Sequence, residues 1–186
     1  MQRTFERTLV EQCAPTLAGI QCANLFHYHG RADGLRHAAH WDKKLSPLGI
    51  RVAVLKACPK QDACVVYVFR PAQLELQLSD QANRNFLAGR GYPTATLKDA
   101  LSHLSLRLCL EQDYPHEIGV FLGYPLEDVV GFIENAGRNY TCAGRWKCYG
   151  DPDAARRCFA RCRQCTDAYT QLHIQGVPVT DLVLPA

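Results

Sequence analysis

Two runs rich in β-branched and aromatic residues, Ile50-Arg51-Val52-Ala53-Val54-Leu55 and Cys64-Val65-Val66-Tyr67-Val68-Phe69, flank the turn-forming stretch Cys58-Pro59-Lys60-Gln61-Asp62. Such a pairing reads as a β-hairpin, the strongest hairpin signal in the chain. An antiparallel pair at this place breaks strict strand-helix-strand alternation and disfavours a doubly wound parallel architecture. In keeping with that, no G-x-G-x-x-G follows the first predicted strand, and no G-x-x-x-x-G-K-[ST] loop occurs.

Helical and extended segments can be placed around the hairpin. A helix is predicted from Thr4 to Gln12, ended by Pro15, then a strand from Ile20 to Tyr28 and a helix from Ala32 to Leu45 closed by Ser46-Pro47-Leu48-Gly49. Pro71 opens a segment carrying Leu74 and Leu78, and Ser79 or Asp80 caps another running to Leu87. Leu97, Leu101, Leu104 and Leu108 give a later helix its apolar stripe. The tripeptide Gly-Tyr-Pro occurs at residues 91–93 and 123–125, before a helical pattern each time, and shared turn chemistry accounts for it.

The densest block runs from Tyr114 to Asn135. It opens with the titratable pair His116 and Glu117 and continues through Ile118-Gly119-Val120-Phe121-Leu122, short enough for a buried strand. After the break at Gly123-Tyr124-Pro125, residues Leu126, Val129, Val130 and Ile133 repeat at helical spacing, with Pro125 suited to the first turn. Glu127 and Asp128 then complement the helix dipole, and Asn135-Ala136-Gly137 supplies the stop. Gly131 inside that helix costs about 1 kcal/mol relative to alanine, which points to close backbone packing or ligand approach. A closing helix from Pro152 to His173 and an extended Val179 to Leu184 complete the order. The expected fold is α/β with α+β character: a single domain over residues 1–186, a sandwich with a mixed, partly antiparallel central sheet covered by helices.

Hydrophobic residues make up 47% of the chain, enough for a substantial core, and no run approaches the roughly 20 apolar residues of a membrane span. No apolar stretch of signal-peptide length follows Met1, so a cytoplasmic location is expected and no membrane partner. Ten cysteines in a reducing compartment read as free thiols, packing residues or metal ligands. Net charge is +3, yet seven basic residues between Arg138 and Arg163 face only Asp151 and Asp153. A pI near 8.3 falls short of dedicated nucleic-acid domains, which makes nucleic acid an unlikely partner and an anionic small molecule the expected one.

Cys158-x-x-x-Cys162-x-x-Cys165 has the spacing of the cluster motif of radical S-adenosylmethionine enzymes. Within a helix, however, Cys158 and Cys165 stand about 10 Å apart along the axis, so one straight helix offers two thiolates to a metal and not three. Ala155, Cys158, Cys162, Cys165, Tyr169 and Leu172 instead form a core-facing stripe in which cysteine acts as a small hydrophobe. No metal site is favoured; the alternative draws Cys142, Cys148, Cys162 and Cys165 together on zinc or an iron-sulfur centre. Cys13, at the predicted C-terminal end of the first helix, gains nothing from the dipole as a nucleophile. His27 with His29, and His37 with His40, can chelate in pairs, but exposed polar termini explain them better.

Several motifs occur in a recognisable order: Ala14-Pro15-Thr16-Leu17-Ala18-Gly19-Ile20, Ala23-Asn24-Leu25-Phe26, Tyr67-Val68-Phe69-Arg70-Pro71, the central block, and Trp146-Lys147-Cys148-Tyr149. Over nearly its whole length the chain resembles the bacterial domain of unknown function family 3793, found mostly in anaerobic Firmicutes. The resemblance implies a family and no particular activity. The functional reading therefore comes from residue chemistry: a small-molecule or cofactor-binding domain, with catalysis left open. His116 and Glu117 are the candidate catalytic residues, and Arg145, Lys147, Tyr124 and Asp128 the candidate ligand-binding ones. No cofactor is specified. Two alternatives stand beside it, a thiol or metal redox accessory protein using the four cysteines above, and an interaction or regulatory module without catalysis.

Overall fold

The computed structural model describes residues 4–110 and 114–185. Its elements follow the order α1 (Phe5–Leu17), β1 (Ala23–His29), α2 (Arg31–Leu45), β2 (Arg51–Cys58), β3 (Ala63–Phe69), α3 (Pro71–Ser79), α4 (Gln81–Ala88), α5 (Leu97–Leu110), α6 (Ile118–Phe121), α7 (Leu126–Glu134), β4 (Cys142–Ala143), β5 (Lys147–Cys148) and α8 (Pro152–Ile174). The architecture is mixed α+β, and every strand pair among the described residues is antiparallel, which narrows the mixed sheet expected from the sequence.

The hairpin of β2 and β3 forms as its sequence requires, and β1 adds to the other side to give the order β1-β3-β2. All seven residues of β3 are buried, because both faces of the sheet are covered. Val66 and Val68 point into one core with Phe5, Leu9 and Val10 of α1 and Trp41 and Leu45 of α2. Tyr67 and Phe69 point into the other, with Leu74, Leu87, Leu104, Leu108 and Phe121. The irregular alternation of β2 also has a cause. Its register slips between Val54 and Lys56, so Leu55 packs toward α5 while the next residue, Lys56, donates to the Leu108 carbonyl.

Capping follows the side chains. Thr4 accepts from the Arg7 amide at the start of α1, Asp80 from Ala82 and Asn83 at α4, and Asp151 from Asp153 and Ala154 at α8.

Three expectations fail. The first helix runs on through Pro15 to Leu17, because the carbonyls at its C-terminal end find other donors. The Ile20 and Gln21 amides donate to the Pro15 carbonyl, and the buried Arg70 guanidinium donates to Thr16 O at 2.7 Å and Leu17 O at 2.6 Å. The run Ile118 to Leu122 is not a strand but the helical turn α6, closed by bonds from Ile118, Gly119 and Val120 to the carbonyls of Pro115, His116 and Glu117. Residues 118–121 are buried all round, and a short apolar run carries no periodicity to separate strand from helix. Val179 to Leu184 is not a strand either: residues 179–182 form one 3-10 turn that buries Val179 and Leu182 together.

Arg70 reaches a third carbonyl, Leu184 O at 2.7 Å, and so ties the end of α1 to the C-terminal segment. Burial lowers its pKa, yet the charge persists because the carbonyls replace lost water. Arg70→Met is expected to cost about 3 kcal/mol or more, since three buried acceptors lose their donor; urea unfolding measures it.

Candidate functional site

The β4–β5 hairpin is too short to hold itself, and one carboxylate fastens it to α7. Asp128 Oδ1 accepts the Tyr149 amide at 2.6 Å and the Gly150 amide at 2.9 Å, while Oδ2 accepts the Trp146 indole N–H at 2.6 Å. Gly131, one turn further along α7, lets the Tyr149 ring lie on the helix backbone: a Cβ there would sit 2.4 Å from Tyr149 Cγ. Close packing thus explains the glycine that helix propensity disfavours.

Trp146 stacks on Tyr124 at 4.6 Å between ring centroids and meets the edge of Phe159 of α8 at 4.6 Å. Phe159 is admitted by Gly144, whose absent Cβ would meet the ring at 2.3 Å. Between hairpin, α6 and α7 lies a cavity of about 390 Å³. His116, Tyr124, Asp128, Arg145 and Lys147 line it, together with Tyr114, Ile118, Val129, Phe132 and Trp146. The size lies within the range of small-molecule sites.

Each polar residue has a definite setting. His116 is exposed and packs edge-on against Phe132 at 4.8 Å. Lys147 lies over the same ring, 5.6 Å from its centroid and 4.9 Å from that of Tyr140, and donates to the Gly137 carbonyl at 2.6 Å. Burial pushes the Tyr124 hydroxyl up to about 12, against the opposing charge of Arg145, so it is neutral and donates to the Arg145 carbonyl at 3.4 Å. Arg145 itself runs inward: its charge is felt by Cys13, Cys162 and Cys165. Its Nε is buried with no hydrogen-bond partner, and no carboxylate pairs with it among the described residues.

Glu117 lies apart from the cavity. It is 2% exposed, accepts the Tyr92 hydroxyl at 2.9 Å, pairs with Arg107, and does not line the cavity. The helical turn at residue 118 rotates it away from His116 into the core, where it fixes Tyr92 of the first Gly-Tyr-Pro turn. Asp128 lines the cavity, but both its oxygens are spent on the hairpin.

The cysteines separate into different settings. Cys142 and Cys148 face each other across the β4–β5 ladder and pack with Ala155 and Phe159, whereas Cys162 approaches Gln21 at 3.9 Å. Burial and the neighbouring Cys158 push Cys162 up to about 11, with Arg145 opposing. Burial likewise raises Cys13, which is fully enclosed. Among the described residues no group of three or more His, Cys, Asp or Glu side chains is arranged to hold a metal ion. The core stripe of α8 is present at Ala155 and Cys162, is partial at Cys158, Cys165 and Tyr169, and ends before the exposed Leu172; Phe159 also belongs to the buried face.

The model of the family described as Protein of unknown function (DUF3793) matches residues 9–183. The chain belongs to this family. No curated protein and no solved structure matches it. In this DUF3793 member, the motif Trp146-Lys147-Cys148-Tyr149 is the very segment that Asp128 and Gly131 hold against α7. The apolar wall escaped the sequence reading, although Asp128 and Phe132 at a spacing of four, and Val129 and Phe132 at three, share one helix face.

Two substitutions probe this framework. Asp128→Asn leaves three donors sharing a weaker acceptor and is expected to cost about 2 kcal/mol or more, with a red-shifted Trp146 emission in a Trp41→Phe background. Gly131→Ala is expected to cost about 1–3 kcal/mol by forcing Tyr149 off the helix, with part of the loss recovered when Tyr149→Ala is added; chemical denaturation measures both.

Proposed function

We propose that the protein is a small-molecule-binding domain whose ligand is an anion held in the cavity between the β4–β5 hairpin, α6 and α7. The observation that carries this reading is Arg145, a partly buried guanidinium whose Nε has no partner and whose charge no described carboxylate balances. Burying an unpaired charge is costly, and a bound anion removes that cost. Arg70, by comparison, meets three carbonyls, although its Nη1 is likewise buried without a partner.

Lys147 adds a second positive charge on the same wall, and Tyr124 supplies a neutral hydroxyl. His116 is the group placed to give or take a proton at the cavity mouth if the bound molecule reacts, while Glu117 supports the core. Ten free cysteines and the lack of any helix long and apolar enough to cross a membrane among the described residues support a reducing, cytoplasmic setting in which the chain acts as one domain.

Titration with 8-anilinonaphthalene-1-sulfonate tests the site. One equivalent is expected to bind the folded protein and quench Trp146, and Arg145→Met is expected to weaken it at least tenfold while retaining the native circular dichroism. Equal binding by the variant, or none by the parent protein, removes the reading.

A further inference from the structure

Resting on the anion-binding reading above, we infer that the natural ligand is an organic monocarboxylate with a compact apolar body rather than a nucleotide or other polyanion. The first ground is charge. Arg145 and Lys147 place two positive charges on the cavity wall, and the Asp128 carboxylate, held there by three hydrogen bonds, places one negative charge among them. The balance is one positive charge, which one carboxylate neutralises. A polyphosphate would bring several charges against the fixed Asp128.

The second ground is donors. Polyphosphates are held by rows of backbone N–H groups, most often at a helix N-terminus after a glycine-rich turn. The helix beside this cavity, α7, is preceded at its N-cap by Pro125, which has no N–H, and carries Glu127 and Asp128 in its first turn. The Tyr149 and Gly150 amides beyond β5 donate to Asp128, and neither residue lines the cavity. Among the lining residues Arg145 is the one with a buried side-chain nitrogen that has no partner, and the planar fork of a guanidinium matches a carboxylate.

The third ground is the rest of the surface. Ile118, Val129 and Phe132 make an apolar floor, and both His116 and Lys147 pack against Phe132. That floor favours hydrocarbon and offers nothing to sugar hydroxyls.

Ligand-observed NMR with benzoate, hexanoate, benzamide, inorganic phosphate and ATP tests the class on the unaltered protein and on Arg145→Met. Benzoate or hexanoate is expected to bind at least tenfold more tightly than neutral benzamide, and Arg145→Met to erase that preference; the two carboxylates distinguish a ring from a chain. Equal binding of benzoate and benzamide to the unaltered protein overturns the inference without need of any variant. Tighter, Arg145-dependent binding of phosphate or ATP overturns the class while the anion site stands. If no anion binds in an Arg145-dependent way, the anion site itself falls, and this inference with it.

Discussion

The Asp128 carboxylate is the contact on which the cavity depends. A ladder of two residues on each strand is far below the size at which a β-ribbon holds itself in water. One carboxylate buried at the start of α7 replaces the missing strand length by accepting from the indole of Trp146 and from two successive amides beyond it. Trp146 then has only one position, between Tyr124 and Phe159, and the residues on either side of it are aimed by that choice: Arg145 inward, Lys147 onto Phe132. The acid that serves the helix dipole therefore also sets the geometry of the cavity wall.

Arg70, buried, and Arg145, partly buried, divide the molecule's electrostatics. Arg70 sits where α1 ends and lends its charge to carbonyls that the helix leaves unpaired, the arrangement the dipole at that end favours. Arg145 sits among thiols and a tyrosine hydroxyl, all raised by burial and therefore neutral. The first meets three carbonyls and leaves one nitrogen, Nη1, without a partner. The second has no carboxylate partner among the described residues, and the residue lines the cavity.

The hairpin, the Asp80 cap and the leucine stripe of α5 were legible because each depends on local chemistry: alternating branched residues about a tight loop, a carboxylate before free amides, a repeat near 3.6. The slip at Leu55 was visible only as an untidy alternation, since a bulge is fixed by what α5 offers across the gap. Residues 118–122 misled because they are enclosed on all sides, which erases the pattern that separates strand from helix. Pro15 misled for another reason: the turn that follows it in α1 is held at its carbonyls by Arg70, more than fifty residues away. At the cavity, His116, Tyr124, Arg145 and Lys147 had chemical marks of their own in the sequence. As adjacent residues entering the run, His116 and Glu117 were expected on opposite faces, and they do separate, although a helical turn and not a strand separates them. Phe132 and Val129 looked like ordinary helix core.

The sheet order β1-β3-β2 also governs how the chain reaches this state. The β2–β3 pairing closes a loop of only four residues, 59–62, whereas β1 pairs with β3 across all of α2 and β2, from Ala23 to Phe69 at its widest. The entropy of loop closure is therefore concentrated on the arrival of β1, and contacts of that separation slow folding. A nascent hairpin has one edge of β3 bare until β1 arrives, and that edge consists of residues such as Val65, Val66 and Val68 that pair readily with any extended chain. During synthesis β1 has already emerged when β3 appears, so the vectorial order of translation brings the strand that must cover the edge before the edge exists.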